Sequence, residues 1–218
     1  MKVHHLGENS SILNQFIAEL RDAAVQVDAM RFRRNVERIS EIFAYEISKE
    51  MTGNPLTIQT PLGIAEAPVP CEEVVIASIL RAGLPMHYGL LSYFDRAQSA
   101  FISAFRKYGK DNKFTISLEH ASCPSVDDKT VILCDAMLAT GASLELAYRT
   151  LRTRGTPAKV HLAAIIASKD GVAYLKKNLG SHKELSLWVG AVDDELTVKS
   201  YIVPGLGDAG DLAFGDKL

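Results

Sequence analysis

The segment that decides the fold is Thr130-Val-Ile-Leu-Cys-Asp135-Ala-Met-Leu-Ala-Thr140-Gly-Ala-Ser143. An apolar run ends at an acid, a loop of small and hydroxyl residues follows, and an amphipathic pattern begins at Leu144. This order predicts a buried strand over residues 130–134, then a loop, then a helix. Backbone N–H groups at a helix N-terminus lack intrahelical partners, and the helix dipole favours an anion there. The segment therefore predicts a phosphate-binding loop.

The side chains of this loop fit a phosphorylated sugar. Gly141 and Ala142 allow close approach of the backbone, and Thr140 and Ser143 add hydroxyl donors. Asp135, at the end of the predicted strand, can meet a sugar hydroxyl or a metal ion. The alternative is an ordinary capped helix of an α/β protein, with Ser143 acting only as the N-cap. The spacing matches neither a Walker loop nor a dinucleotide-binding fingerprint.

The flanking sequence predicts an α/β protein with a doubly wound, mostly parallel sheet. Two helices come first, one around residues 13–20 and one that starts near Asp28 and ends before Gly53. Residues 58–66 suggest an irregular strand broken by Pro61 and Gly63, and 106–126 a long excursion or hairpin. Apolar runs predict further strands, and periodic stripes predict helices between them, at 74–79 (strand), 84–93 (helix), 99–105 (strand), 144–154 (helix), 160–167 (strand), 171–178 (helix) and 185–192 (strand).

Three charged residues lie just past predicted strand ends, namely Arg81, Arg106 and Asp135. Ligands of open α/β sheets bind beyond the carboxyl ends of the strands, so this convergence predicts the site. The acidic run at residues 193–195 is most simply a solvated turn.

Composition limits the function classes. A length of 218 residues favours a single domain over residues 1–218, and 47% hydrophobic residues are typical of a globular protein. A net charge of −2 predicts no nucleic-acid or membrane partner. No apolar run is long enough for a membrane span, and no secretory signal opens the sequence, so a cytoplasmic location is expected. Scattered His and Cys residues predict no protein-held metal site.

Three motifs carry a resemblance to a known family. Asp135 to Ser143 resembles the loop that holds 5-phosphoribosyl-1-diphosphate (PRPP) in uracil phosphoribosyltransferases. The segment Tyr201-Ile-Val-Pro-Gly-Leu-Gly-Asp-Ala-Gly-Asp211 is similar to that family's uracil-binding segment, and Ile79-Leu-Arg81-Ala-Gly83-Leu84 to its diphosphate-contacting loop. The motifs follow the family's order and spacing, and the resemblance covers most of the chain.

The resemblance implies a type I phosphoribosyltransferase-like fold, in which helices flank a central, mostly parallel sheet and the N-terminal and C-terminal segments form a small hood. It implies transfer of the phosphoribosyl group of PRPP to uracil in pyrimidine salvage, giving uridine monophosphate (UMP) and diphosphate. It also implies Mg²⁺ bound mainly through the PRPP diphosphate. A homodimer or homotetramer, and activation by GTP, are further expectations from the family.

The site residues follow from the same resemblance. The catalytic set is Asp135, Arg81 and Asp208. The residues expected to bind PRPP are Arg81, Arg106, Asp135, Ala136, Met137, Leu138, Ala139, Thr140, Gly141, Ala142, Ser143 and Asp208. Those expected to bind uracil are Ile202, Gly207, Asp208 and Ala209, with backbone groups of the glycine-rich segment matching the base edge.

The sequence departs from the family at three positions. Ala136 stands where proline is usual, Ala142 where a second glycine is usual, and Leu212 where arginine is usual. Two alternatives to a uracil phosphoribosyltransferase remain open from the sequence. One is a non-catalytic domain that senses PRPP or a nucleotide, and the other is a phosphoribosyltransferase for a different base.

Overall fold

A computed structural model describes residues 1–108 and 114–217, and for residues 104–108 and 114–119 it describes the backbone alone. Within these ranges the helices are α1 (Ile12–Arg21), α2 (Ala29–Ser48), α3 (Gly83–Leu91), α4 (Ala142–Leu151), α5 (Lys169–Leu179) and α6 (Ala209–Phe214). The strands are β1 (Lys2–His5), β2 (Gly53–Thr60), β3 (Gly63–Pro70), β4 (Val74–Leu80), β5 (Gln98–Tyr108), β6 (Phe114–Ser122), β7 (Thr130–Leu138), β8 (Lys159–Ser168), β9 (Leu185–Asp193), β10 (Glu195–Leu196) and β11 (Ile202–Val203).

The central sheet has the strand order β1-β9-β8-β7-β4-β5-β6, and its pairs are parallel except for β5 with β6. Its two faces carry separate apolar clusters, because successive side chains of a strand point to opposite faces. Ile132 and Cys134 of β7 pack with helices α1, α2, α3 and α6, whereas Val131 and Leu133 pack with α4 and α5. The predicted α/β architecture is confirmed.

Helix α2 shows why the N-terminal sequence folds as predicted. The Asp28 side chain caps the helix by accepting a hydrogen bond from the Arg31 N–H. Apolar side chains then recur at helical spacing, and each is fully or almost fully buried on the sheet, namely Phe32, Val36, Ile39, Phe43 and Ile47. Helix α2 thereby packs with α1, α3 and α6 in the apolar cluster on one face of the sheet.

The segment predicted as an irregular strand over residues 58–66 is a hairpin, so that prediction was wrong. Strands β2 and β3 pair from Gly53 with Pro70 up to Thr60 with Gly63, and Pro61 and Leu62 form the connection. Pro61 and Gly63 therefore close a turn between two strands rather than interrupt one. Within the described residues this pair forms its own two-stranded sheet, separate from the central one.

Two strands run further than their apolar sequence suggests. Strand β7 continues past Cys134 to Leu138 because it stays hydrogen-bonded to β8, and β5 continues to Tyr108 because β6 pairs with it. Asp135 and Arg106 therefore lie within strands, which corrects their predicted place beyond strand ends. Arg81 does follow the last residue of β4 directly. None of the helices in the described ranges is long and apolar enough to cross a membrane.

Candidate active site

A cavity of about 810 Å³ opens at the carboxyl ends of the central strands. Its walls come from the end of β4, from β7 and the loop after it, and from the C-terminal segment. The lining residues are Ile79, Leu80, Arg81, Ala82, Ser103, Asp135, Met137, Leu138, Ala139, Thr140, Gly141, Ser143, Leu144, Ser200, Tyr201, Ile202, Gly207, Asp208, Ala209, Gly210, Asp211 and Lys217. All three sequence motifs therefore meet at one cavity.

The loop after β7 presents the N-terminus of α4 to this cavity. Helix α4 begins at Ala142, two residues earlier than its apolar stripe predicts, and Gly141 is its N-cap. Gly141 has a φ of +86°, a left-handed conformation that favours glycine. The tight turn thus falls on Gly141, and Ala142 can replace the family's second glycine because its own backbone is helical. The Ala142 N–H donates to Thr140 Oγ1 over 3.4 Å, and the N–H groups of Ser143 and Leu144, which both line the cavity, can face an anion.

Helix α5 supports this loop from behind. Ser168 caps α5 by accepting from the Gly171 N–H over 2.8 Å, and its hydroxyl donates to the Ala139 carbonyl over 2.6 Å. A Cβ on Gly171 would lie 2.4 Å from that same carbonyl oxygen, and a Cβ on Gly141 would lie 2.8 Å from Tyr174. This close packing fixes the loop. The sequence of the loop carries no signal for these supports, because they come from the next strand–helix unit.

Gly83 brings the Arg81 turn next to Asp135. A Cβ on Gly83 would lie 2.9 Å from the Cys134 carbonyl oxygen and 3.7 Å from Cα of Asp135. Only a glycine lets the start of α3 approach β7 this closely. Arg81, directly after β4, is thereby placed next to Asp135 in β7, the parallel strand that pairs with β4.

Arg81 is held by the C-terminal segment. Its Nη2 donates to Asp211 Oδ1 over 2.6 Å, and its Nη1 donates to the Gly215 carbonyl over 3.0 Å. Its Nε is buried and has no hydrogen-bond partner within the part of the chain that the structure describes. The hydrogen bonds to Asp211 and Gly215 use two of the five N–H donors of the guanidinium, and Arg81 lines the cavity, so it keeps donor capacity for an anion there.

The glycine-rich segment makes a tight turn between β11 and α6. Gly205 has a φ of +55° and Gly207 a φ of +94°, and a Cβ on Gly205 would lie 2.1 Å from the Ile202 carbonyl oxygen. Asp208 caps α6 by accepting from the N–H groups of Gly210 and Asp211. Gly207 and Gly210 of this segment line the cavity, and neither has a side chain that could cover its backbone there.

Asp193 is where the sequence prediction of a solvated turn was wrong. It is only 7% exposed, and both carboxylate oxygens accept from Arg21 over 2.7 Å. Burial alone would raise the pKa of the Asp193 carboxyl, but hydrogen bonds from Arg21 and from the Gly205 N–H outweigh burial and lower that pKa. Its neighbour Asp194 is exposed and pairs with Lys169 at the surface.

Most of the predicted site residues line the cavity, and among those whose side chains the structure describes only Ala136 and Ala142 do not. The Ala136 side chain is buried in the apolar cluster beneath β7, and Ala142 opens α4 without lining the cavity. Arg106 lies in β5, and its side chain is outside the described residues. The sequence assigned no role to Ser103, Asp211 and Lys217, which also line the cavity. The Leu212 side chain packs against the apolar cluster that contains α2 and α6. Its neighbour Asp211 forms a salt bridge with Arg81, which lies just after β4.

The cavity offers carboxylates rather than a metal cage. Among the described residues, His, Cys, Asp and Glu form no group of three that could hold a metal ion. Asp135 and Asp208 both line the cavity. Two carboxylates suit Mg²⁺, which is commonly bound through one or two carboxylates together with substrate phosphates and water.

Comparisons with known proteins agree with this geometry. A family model described as uracil phosphoribosyltransferase matches residues 8–216. A uracil phosphoribosyltransferase of Porphyromonas gingivalis is 51% identical over 218 residues, covering 100% of both chains. The AQ2163 protein from Aquifex aeolicus has a TM-score of 0.85 at 28% identity, covering 98% of both chains. An adenine phosphoribosyl transferase from Trypanosoma brucei shares the fold, with a TM-score of 0.55 at 14% identity, covering 91% of this chain and 87% of that one. The chain has the type I phosphoribosyltransferase fold and belongs to the uracil phosphoribosyltransferase family.

Proposed function

We propose that the protein transfers the phosphoribosyl group of PRPP to uracil, producing UMP and diphosphate. One observation carries the proposal beyond family membership. A helix N-terminus, a partly unsatisfied arginine and a glycine-rich backbone turn all line one cavity of about 810 Å³. These are three different recognition devices, and they suit a phosphate, a diphosphate and a flat base with polar edges.

The PRPP 5-phosphate would bind at the start of α4. The loop Ala139–Gly141 and the hydroxyls of Thr140 and Ser143 supply donors there, and the helix dipole favours the negative charge. Asp135 lies in the preceding strand, where its carboxylate would accept from a ribose hydroxyl. The diphosphate would lie towards Arg81, whose guanidinium uses two of its five N–H donors on Asp211 and Gly215.

The reaction would be a displacement at C1 of the ribose. The bond from C1 to the diphosphate oxygen breaks, the bond from C1 to N1 of uracil forms, and the N1 proton is released. Positive charge develops on the sugar ring while the diphosphate leaves, so Asp135 would stabilise the sugar and Arg81 the leaving group. Backbone groups near Ile202, Gly207 and Ala209 would hold the base in line with C1.

Mg²⁺ is part of the proposal, and Asp135 and Asp208 are the carboxylates that would hold it beside the diphosphate. When bound, the ion would neutralise charge on the diphosphate. Protein ligands would be few because the diphosphate oxygens supply most of the coordination. Arg106 is proposed as a second cation for the diphosphate on the strength of the family resemblance alone.

The direct test is formation of UMP from uracil, PRPP and Mg²⁺. UMP and diphosphate should appear in equal amounts, and neither should form when uracil or PRPP is left out. PRPP binding without UMP would favour the sensing domain, and turnover of another base would favour a different phosphoribosyltransferase. The single domain over residues 1–218, the homodimer or homotetramer, activation by GTP and the cytoplasmic location stay predictions.

Arg81→Ala should lower the catalytic efficiency for PRPP by about ten- to hundredfold. The reason is the loss of a charge-assisted contact to a partly buried anion, which is worth roughly 1.5–3 kcal/mol. Steady-state kinetics with saturating uracil measure the effect. Arg34→Ala is the matched control, because Arg34 makes exposed ion pairs on α2.

Arg81 also holds the tail, so a second variant separates its two roles. Asp211→Ala removes the salt bridge but leaves the guanidinium in place. If Asp211→Ala matched the loss in Arg81→Ala, anchoring of the tail would explain the effect. An efficiency within about threefold of the unmodified protein in Arg81→Ala would contradict the assignment, since tenfold is ~1.4 kcal/mol.

A further inference from the structure

Both backbone polar groups of Gly205 form hydrogen bonds with side chains of distant elements. Its N–H donates to Asp193 Oδ2 over 2.9 Å, and its carbonyl accepts from Arg21 Nη1 over 3.0 Å. Arg21 and Asp193 are themselves joined by two hydrogen bonds of 2.7 Å. The end of α1, the end of β9 and the glycine-rich turn are thus closed into one ring of hydrogen bonds, which we call the Gly205 clamp.

The clamp acts at the point that determines the shape of the turn. Gly205 has a left-handed φ of +55° and has no room for a side chain against the Ile202 carbonyl. The next residue, Leu206, is 5% exposed and packs into the core. Ile202 and Gly207 flank these two fixed residues, and both line the cavity. A displacement of Gly205 would therefore move both sides of the surface expected to contact the base.

The energetics favour a geometric role for the Arg21–Asp193 pair. Burying an ion pair costs desolvation free energy. The attraction between the two charges offsets that cost only when their hydrogen bonding is complete, so such pairs add little net stability. Here the carboxylate accepts three hydrogen bonds, and the pair holds a specific backbone conformation. Neither Arg21 nor Asp193 lines the cavity, so their effect on a ligand passes through Gly205.

We propose that Arg21 and Asp193 are positioning residues that set the affinity for the pyrimidine by fixing the Gly205 turn. The N-terminal helix thereby takes part in base recognition without contacting the base. The inference rests on the proposed function, because the turn is assigned to uracil there. It adds two residues that lie outside the three sequence motifs.

The test compares Asp193→Asn with Asp194→Asn in steady-state assays of UMP formation. Asp193→Asn keeps the shape of the side chain but removes its charge, and it should raise KM for uracil by at least about tenfold, since a misplacement of 1 Å can cost about 10²-fold. KM for PRPP should stay within about twofold of the unmodified value. Asp194→Asn should change neither constant, because that exposed ion pair with Lys169 contributes little.

Arg21→Lys provides a milder second variant if Asp193→Asn does not fold. Lysine keeps the charge but cannot make the bidentate contact, so KM for uracil should rise by less than in Asp193→Asn. An unchanged KM for uracil in either folded variant would overturn the inference, as would equal increases in KM for both substrates. If the unmodified protein made no UMP at all, the proposed function itself would fail, which is a distinguishable result.

Discussion

Cytosine should be a far poorer substrate than uracil, by up to about 10⁴–10⁵ in catalytic efficiency. Uracil offers a donor at N3 and an acceptor at O4, whereas cytosine offers an acceptor at N3 and a donor at N4. The residues proposed to contact the base, Ile202, Gly207 and Ala209, present backbone groups in a turn that is fixed at Gly205. A fixed backbone cannot exchange donors for acceptors, so cytosine would leave polar groups unpaired.

The comparison uses saturating PRPP and measures the nucleotide formed from each base. A uracil carrying a halogen at C5 is the control, since it keeps the polar pattern of O2, N3 and O4. It should be converted far better than cytosine. Similar efficiencies for uracil and cytosine would contradict backbone recognition and would favour an enzyme for another base.

Asp135→Asn should lower turnover by about 10²–10³-fold while leaving the fold intact. The carboxylate lines the cavity from β7, directly below the loop proposed to bind the 5-phosphate. Positive charge developing on the sugar would lose a preorganised negative partner, and removal of one such group typically has an effect of this size. The main effect should fall on kcat, because the stabilisation is greatest in the transition state.

Asp95→Asn is the control for this substitution, because Asp95 is exposed and does not line the cavity. Thermal unfolding of both variants should show similar midpoints. Near-normal kcat in a folded Asp135→Asn protein would exclude the proposed role of the carboxylate at the sugar.

The sequence predicts the elements whose signals are local. Strand β7 and the stripe of α4 are apparent from apolar periodicity, and the cap of α2 from Asp28. Strand β1 has no such signal, because Lys2–His5 is short and polar and becomes a strand only by pairing with β9. Helix α6 is likewise hidden in a segment rich in Gly and Asp, and its cap at Asp208 becomes visible only in three dimensions.

The residues of the candidate site also fall into those with a local sequence signal and those that only the tertiary structure reveals. Arg81 and the loop after Asp135 are found from the sequence because each motif is continuous. The Gly205 clamp could not be found from the sequence. Arg21 and Asp193 are separated by 172 residues, and neither belongs to a recognisable sequence motif. A carboxylate within an acidic run is usually solvated. Only the tertiary fold places an arginine and a backbone N–H around it.

The solvent exposure of the Arg81–Asp211 salt bridge predicts that ionic strength affects the binding of the two substrates differently. These side chains are 34% and 32% exposed, whereas those of Arg21 and Asp193 are 23% and 7% exposed. Dissolved ions screen accessible charges over roughly 8–10 Å at 0.10–0.15 M salt but act much less on buried pairs. Added potassium chloride should therefore raise KM for the anionic substrate while changing KM for the neutral base much less. A salt titration of the two constants would thus probe the two halves of one cavity separately.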